Sequence, residues 1–250
     1  MEREFKIWRG DVKGGEFSTY YIKLEQGMVV LDALHRIQAE QATDLGVRWN
    51  CKAGKCGSCS MEINGKPKLA CMTRMNALPI DKVVIIQPLK TFPLIKDLVT
   101  DVSWNYEQNK KIAPFNPGNK QKNKDHIMYQ QDIERIQEFR KCIECYLCQD
   151  ICHIFRDHNQ KDKFVGPRFM IRLASLEMHP LDKEDRISQI KNEYGSGMCN
   201  ITRCCTDVCP ENIQITDNAI IPLKERVVDR FYDPLYWVFN KLFRNNPKLN

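Results

Sequence analysis

The first hundred residues show the alternating apolar and polar positions of β-strands with one buried face. Residues 4–8 and 18–24 alternate in this way, and residues 83–87 form a further apolar segment of strand length. Apolar side chains recur at helical spacing over residues 29–38, which predicts one helix. Asn-Gly at the centre of residues 63–66 is a strong signal for a tight β-hairpin. The pattern therefore predicts a small sheet with one helix.

After residue 93 the pattern becomes helical. Apolar residues recur along one stripe of residues 95–106, and residues 131–140 and 168–176 also have helical periodicity. Residues 108–125 are rich in lysine, proline and glycine, a composition typical of an exposed connection. The change in pattern predicts two domains, residues 1–103 and 104–250.

Composition limits the classes of function. The chain has 250 residues with a net charge of +6, and no nucleic-acid-binding motif accompanies this modest excess, so nucleic acid is not an expected partner. No apolar run reaches the roughly 18 residues that predict a membrane span, and the first residues lack the apolar core of an export signal. We therefore expect a protein of the cytosolic compartment. In that reducing environment the 12 cysteines predict metal ligation rather than disulfides.

The first cysteine group has the C-x4-C-x2-C…C spacing of a plant-type 2Fe-2S site. A short loop of this kind wraps three thiolates around one cluster, and Gly54 and Gly57 let backbone amides approach the sulfurs. The hairpin then returns the fourth thiolate. A structural zinc site is the alternative, but such sites usually contain two close pairs of ligands, which this group lacks. The predicted 2Fe-2S ligands are Cys51, Cys56, Cys59 and Cys71.

The second cysteine run repeats the C-x2-C-x2-C-x3-C spacing of bacterial two-cluster ferredoxins, in which the fourth cysteine ligates the other cluster. The third run has the same spacing, with Thr202 in place of the second cysteine. The crossover rule then leaves one complete set of ligands and one set of three, which suits a 3Fe-4S cluster. The predicted 4Fe-4S ligands are Cys142, Cys145, Cys148 and Cys209, and the predicted 3Fe-4S ligands are Cys152, Cys199 and Cys205.

Cys204 is out of register with both runs. We interpret it as a buried free thiol, with a fourth ligand to the second cluster as the alternative. Together the elements and cysteines predict an α+β chain. It begins with a plant-type ferredoxin domain of β-grasp fold and continues with a mainly α-helical bacterial-type ferredoxin domain.

This order of cluster sites, with one cysteine missing from the last run, resembles the iron-sulfur subunit of the succinate dehydrogenase and fumarate reductase family. The resemblance covers nearly the whole chain, and it includes family-like segments at residues 48–51, 63–65, 69–71, 92–98 and 164–167.

The resemblance implies an electron relay between an FAD-containing flavoprotein subunit and a membrane quinone, with no substrate pocket and no catalytic residue on this chain. The 2Fe-2S cluster would face the flavin, and the 3Fe-4S cluster would face the quinone. Membrane anchor subunits would be further partners. The chain itself would lie peripherally on the cytoplasmic face of the cell membrane.

Two positions depart from the family pattern in the region that would face the quinone. His153 stands where many relatives have proline, and Asn200 stands where well-known members have histidine. Quinone-contacting residues are therefore not carried over. We interpret His153 as a structural or surface group, with a role at the quinone as the alternative. Residues 230–244 are aromatic-rich with basic ends, which fits either a membrane surface or packing on their own domain.

Two other functions are consistent with part of the pattern. A cluster subunit of another flavoenzyme, heterodisulfide-reductase-like or glycolate-oxidase-like, would use similar modules, but such proteins often carry duplicated Cys-Cys-Gly segments, which this sequence lacks. A zinc-binding interaction module would be colourless, so a visible spectrum distinguishes it from an iron-sulfur protein.

Overall fold

The computed structural model describes residues 2–118 and 127–235. In these ranges the chain forms two compact units, each assembled from several segments. The sequence predicts two consecutive domains with a boundary near residue 103, and this boundary stays a prediction. The first unit is drawn from Met1–Lys111, Lys141–Asn159 and Cys204–Ile213, and the second from Ile112–Arg140, Gln160–Arg203 and Gln214–Asn250.

A mixed β-sheet forms the centre of the first unit. Its strands are β1 (Glu2–Asp11), β2 (Gly14–Lys23), β3 (Ser60–Ile63), β4 (Lys66–Leu69), β5 (Val84–Gln87), β6 (Leu94–Lys96) and β7 (Val99–Thr100). They lie in the order β4-β3-β5-β1-β6-β7, and β2 pairs with β1. Strands β1 and β5 are parallel, which requires a crossover connection, and helix α1 (Val30–Glu40) lies in that connection.

Helix α1 supplies one side of the hydrophobic core. Its Leu34 and Ile37 are buried in the same cluster as Phe5 and Ile7 of β1. The N–H of Val29, at the start of the helix, donates to the side chain of Asp32 at 3.0 Å, which satisfies a backbone donor that the helix itself leaves unpaired. The predicted sheet with a single helix is thereby confirmed.

The β3–β4 hairpin contains the predicted Asn-Gly turn. Ile63 pairs with Lys66, and Asn64 and Gly65 have φ angles of +51° and +75°. Two consecutive residues with positive φ match the right-handed twist of the flanking strands. The hairpin begins just after the third cysteine of the first group and ends just before the fourth, so it brings the two together.

The helix predicted over residues 95–106 is wrong in its first half. Strands β6 and β7 occupy that part, and helix α2 (Ser103–Lys111) begins only after them. Asp97, with φ of +51°, forms the turn between the strands. Its buried carboxylate accepts the N–H groups of Gly10 and Gly46 at 2.9 and 2.7 Å. These contacts with residues distant in sequence override the local apolar periodicity.

The described part of the second unit is mainly helical, as predicted. It contains α3 (Gln130–Gln137), α6 (Pro167–Glu177), α7 (Ile187–Asn192) and a π-helical segment (Ile215–Ile220) that continues into α9 (Ile221–Tyr232). Three short helices belong to the first unit instead. These are α4 (Leu147–Asp150), α5 (His153–Arg156) and α8 (Cys204–Asp207). Short 3₁₀ turns occupy Met75–Ala77, Glu138–Lys141 and Ser196–Met198.

The described part of the lysine-rich connection is largely exposed, as predicted, but its backbone is held in place near Ile112. Ile112 is buried, and the buried guanidinium of Arg186 donates to the carbonyls of Ala113 and Pro114 at 2.9 Å each. A buried guanidinium needs such acceptors for its several N–H groups, which explains the fixed backbone here. Residues 119–126 of this connection lie outside the described residues.

Candidate iron-sulfur cluster sites

The loop between α1 and β3 carries three of the four cysteines of the first group. Gly54 and Gly57 both have φ of +68°, a conformation that glycine adopts without steric cost. The tight loop brings backbone amides to sulfur, since the N–H groups of Ala53 and Lys55 donate to Cys51 Sγ at 3.4 and 3.3 Å. The backbone thus provides donors for a thiolate.

Two more amides donate to sulfur in this group. The N–H of Cys51 donates to Cys56 Sγ, and the N–H of Cys71 donates to Cys59 Sγ, each at 3.5 Å. Burial acts to raise the pKa of Cys56, but hydrogen bonds from Ser58 and Cys51 outweigh it and lower the pKa to about 7. Burial raises the pKa of Cys59 to about 12. Because N–H donors stabilise the thiolate that ligates iron, these residues fit a 2Fe-2S cluster.

The glycines of this loop leave no room for a side chain. A Cβ atom on Gly54 would lie 2.8 Å from Met72 Sδ, and one on Gly57 would lie 2.6 Å from Cys145 Cα. Contacts below about 3.4 Å are closer than carbon atoms normally approach without strain. The first cysteine loop and the second cysteine run are therefore in direct contact at Gly57.

The second and third cysteine runs share their local backbone structure. The second and fourth residues after the first cysteine have positive φ in both, namely Glu144 and Tyr146 in one run and Ile201 and Arg203 in the other. A four-residue helix, α4 or α8, begins one residue before the next shared cysteine, Cys148 or Cys205. The local structure thus repeats along with the spacing. In this repeat Thr202 is the counterpart of Cys145.

Four thiols of these runs are close enough for their charges to interact. Burial raises the pKa of Cys145 to about 12, and negative charge on Cys142 and Cys209 adds to that effect. Burial also raises the pKa of Cys148, with further contributions from Cys145 and Cys142. Several buried thiolates in close proximity are stable only with a positively charged centre among them. This set, which is the predicted 4Fe-4S set, fits a cluster of that kind.

The structure brings together two of the three predicted 3Fe-4S ligands. Burial raises the pKa of Cys152 to about 12, and the charges of Cys204 and Cys205 add to that effect. Cys199 belongs to the second unit, where its carbonyl accepts Lys224 Nζ at 2.7 Å. Cys204 is half-buried rather than fully buried as predicted, because its position at the start of α8 leaves part of it open to solvent.

Sequence reasoning missed a buried charged cluster beside the second cysteine run. Glu62 on β3 and Asp150 on α4 are fully buried, and the guanidinium of Arg156 contacts Glu62 and lies 3.9 Å from Asp150 Oδ2. Lys90 Nζ lies 3.5 Å from Glu62 Oε2. Burial raises the pKa of Asp150 to about 6, although the hydrogen bonds that Thr91 donates to its carboxylate act in the opposite direction. No local sequence pattern signals contacts between residues so far apart.

His153 and Asn200, the two positions that depart from the family pattern, directly follow Cys152 and Cys199 in the sequence. His153 begins α5, with its ring 6.1 Å from that of His158, and Asn200 is exposed. Of the aromatic-rich segment 230–244, only residues 230–235 are described, and Tyr232 and Leu235 among them are exposed.

In the described ranges, no helix is both long enough and apolar enough to cross a membrane. Also among residues 2–118 and 127–235, no three or more His, Cys, Asp or Glu side chains are grouped as ligands of one metal ion.

Two protein-family models match the chain, one over each cysteine-bearing part. The model of a 2Fe-2S iron-sulfur cluster binding domain matches residues 4–107. The model of a 4Fe-4S dicluster domain matches residues 138–213. Together the two matches include all 12 cysteines.

Comparison with individual proteins gives three extensive similarities. The chain is 33% identical over 192 residues to the succinate dehydrogenase iron-sulfur subunit of Coxiella burnetii, covering 75% of this chain and 79% of that protein. It is 33% identical over 214 residues to an uncharacterized iron-sulfur protein of Methanococcus maripaludis, but spans only 41% of that protein's length. A chain in the solved Mycobacterium smegmatis Sdh1 complex in the apo form is 56% identical, with a TM-score of 0.91, covering 94% of this chain and 98% of that chain.

Proposed function

Because the chain belongs to the family of succinate dehydrogenase iron-sulfur subunits, we propose that it relays electrons between an FAD-containing flavoprotein and a membrane quinone. Family membership makes it an electron-transfer subunit of an oxidoreductase complex. The observation that carries the proposal is the direct contact between the first cysteine loop and the second cysteine run at Gly57. Redox centres bound in adjoining loops can pass electrons in sequence. The comparisons favour this function over a subunit of another flavoenzyme.

We assign the three clusters to the cysteines that the spacing predicts. Backbone N–H groups directed at sulfur support a 2Fe-2S cluster in the first group. The mutual effects of the buried thiols support a 4Fe-4S cluster whose fourth ligand comes from the third run. The sets are Cys51, Cys56, Cys59 and Cys71 for 2Fe-2S, Cys142, Cys145, Cys148 and Cys209 for 4Fe-4S, and Cys152, Cys199 and Cys205 for 3Fe-4S.

The 3Fe-4S assignment depends on Thr202. This residue occupies the place of Cys145 in the repeated backbone, so the cluster at that site has three cysteine ligands and lacks one iron. The complete chain then holds about nine irons, whereas a second 4Fe-4S cluster would bring the total to about ten. Iron and acid-labile sulfide analysis of the purified complex distinguishes these two contents.

The bound clusters supply one-electron oxidation and reduction, while the chain controls the environment of each cluster. N–H donors reduce the negative charge on the sulfurs and so raise the reduction potential, as Ala53 and Lys55 do at Cys51. Burial excludes water from Cys148 and Cys152. In this proposal the substrates bind to the flavoprotein, and membrane anchor subunits hold this chain peripherally on the cytoplasmic face of the membrane.

Reduction of the clusters by succinate tests the proposed donor. The complex would be purified from membranes, and its visible absorbance would be recorded before and after succinate is added. We expect partial bleaching of the clusters and reoxidation when a quinone analogue is supplied. A complex that dithionite bleaches but succinate leaves unchanged would show an electron relay with a different donor. The same experiment with Cys145→Ala should preserve reduction of the first cluster and abolish quinone reduction.

A further inference from the structure

The first cysteine loop and the second cysteine run meet beside the face of β3 that carries Ser60 and Glu62. Side chains alternate along a strand, so Ser60 and Glu62 lie on the same face. Ser60 Oγ is 2.8 Å from the carbonyl oxygen of Gly57 and 2.8 Å from the carbonyl oxygen of Cys145. Glu62 contacts the guanidinium of Arg156. Two neighbouring positions of one strand therefore hold the same chain segment.

The hydrogen bonds of Ser60 connect residues of two proposed cluster sites. Gly57 lies between Cys56 and Cys59 of the first group, and Cys145 belongs to the second run. The backbones are so close that a Cβ atom on Gly57 would lie 2.6 Å from Cys145 Cα. No side chain separates the first loop from this cysteine. A path from one set of sulfurs to the other therefore crosses only a few backbone atoms.

The Ser60 hydroxyl provides a hydrogen-bond donor for two carbonyl oxygens. Carbonyl groups carry no proton to share, so the oxygens of Gly57 and Cys145 cannot hydrogen-bond to each other. One hydroxyl proton, shared between them or alternating, gives both a donor at 2.8 Å. Without it, the oxygen of Gly57 would keep only the backbone N–H of Ser60 at 3.2 Å, and the partly buried oxygen of Cys145 would lose this donor, so the two loops would tend to separate.

We propose that Ser60 is the positioning residue that keeps the Gly57–Cys145 contact closed, and that the rate of electron transfer between the first and second clusters depends on this contact. The inference rests on the proposed function for the identity of the clusters. In each step one electron leaves the reduced 2Fe-2S cluster and enters the oxidised 4Fe-4S cluster. No bond is made or broken, and no proton is transferred.

Three variants of the full chain, prepared in its assembled complex, test the role of the hydroxyl. Ser60→Ala removes it, and Ser60→Thr retains it on a residue that suits a strand. Ser175→Ala is a matched control, because Ser175 Oγ also donates to the carbonyl three residues earlier, that of Arg172 at 2.7 Å, but this exposed hydrogen bond lies within helix α6. Iron content and visible spectra first establish that each variant retains its clusters.

Two measurements then report on the contact rather than on overall activity. Flash photoreduction with a dye follows electron arrival at the second cluster without any need for succinate or quinone. Electron paramagnetic resonance power saturation of the reduced first cluster reports its magnetic coupling to the reduced second cluster. For Ser60→Ala we expect severalfold slower transfer and weaker coupling, whereas Ser60→Thr and Ser175→Ala should match the unmodified chain.

Unchanged transfer rate and unchanged coupling in a fully loaded Ser60→Ala complex would overturn the proposal. If Ser60→Ala does not retain its clusters, Glu62→Gln provides the second test. This substitution weakens the neighbouring ion pair with Arg156 and changes no cysteine. Slower transfer in Glu62→Gln would support the proposal, and an unchanged rate would contradict it. Because photoreduction bypasses succinate, failure of this inference is distinguishable from failure of the proposed donor.

Discussion

In the first cysteine loop, backbone N–H groups donate to the sulfurs of Cys51, Cys56 and Cys59, whereas in the second run Cys145 and Cys148 are buried among other thiols. In the first arrangement hydrogen bonds lower the pKa of Cys56 to about 7, although burial raises the pKa of Cys59 to about 12. In the second arrangement burial raises the pKa of both cysteines, that of Cys145 to about 12. The comparison indicates that the second region depends more strongly on its cluster for stability.

Removal of one ligand from each region should give the largest difference. Cys148→Ala removes a buried ligand, so we expect loss of the 4Fe-4S cluster, a fall from about nine to about five irons, and a large decrease in thermal stability. Cys51→Ala removes an exposed ligand and should leave about seven irons with a smaller decrease. Iron analysis and thermal unfolding check both. Equal losses of stability would refute the difference between the regions.

The buried charged cluster gives the next largest effect. Arg156→Met leaves Glu62 and Asp150 buried without their guanidinium partner, which should lower the free energy of unfolding by about 3–5 kcal/mol. The matched control is Arg36→Met, since Arg36 pairs with the exposed Glu25 at 2.7 Å and should matter by at most about 1 kcal/mol. Chemical denaturation measures both values. Similar small effects for the two variants would show that the buried carboxylates find other partners.

Alanine substitutions at two glycines distinguish the effect of a close contact from the effect of backbone conformation alone. Gly65→Ala should cost about 1–2 kcal/mol, because its φ is +75° and a Cβ atom there would meet nothing within 4 Å. Gly57→Ala should cost more and also reduce iron content, because its Cβ atom would collide with the backbone of Cys145. Denaturation and iron analysis of the pair provide the test. A Gly57→Ala chain as stable and as rich in iron as Gly65→Ala would disprove the tight contact.

The smallest expected effect is on the pH dependence of the unfolding free energy, and it comes from His179 in the second unit. Burial lowers the pKa of His179, and Leu181 N–H donates to its Nδ1 at 3.2 Å, which requires an unprotonated nitrogen. The unfolded chain therefore takes up this proton first as pH falls below about 6.5. The associated stability is present above that pH and is lost as pH falls through the folded pKa. His179→Asn should flatten the dependence of unfolding free energy on pH between about 5 and 7.

Features formed by residues close together along the chain could be predicted from the sequence, whereas features that depend on distant contacts could not. The cysteine spacing, the Asn64-Gly65 turn and helix α1 follow from residues close together along the chain. Strands β6 and β7 depend on the side chain of Asp97 reaching Gly10 and Gly46, so apolar periodicity alone predicted a helix.

The contacts around Ser60 and Arg156 were likewise beyond prediction. Ser60 reaches Cys145, and Arg156 reaches Glu62, each across more than eighty residues. Such contacts arise from the folded backbone and leave no local pattern. The repeated cysteine spacing is visible in the sequence, and the ligand sets drawn from it stay a prediction. The long-range contacts around the runs could not be predicted.

We propose that two repeated cysteine runs, one lacking a ligand at Thr202, hold a 4Fe-4S and a 3Fe-4S cluster in addition to the 2Fe-2S cluster of the first group. Low-temperature electron paramagnetic resonance of the oxidised complex, quantified against its iron content, tests this assignment. We expect a 3Fe-4S signal of one spin per chain and about nine irons. Absence of that signal, together with about ten irons, would contradict it and indicate that another residue, such as Cys204, completes a second 4Fe-4S cluster.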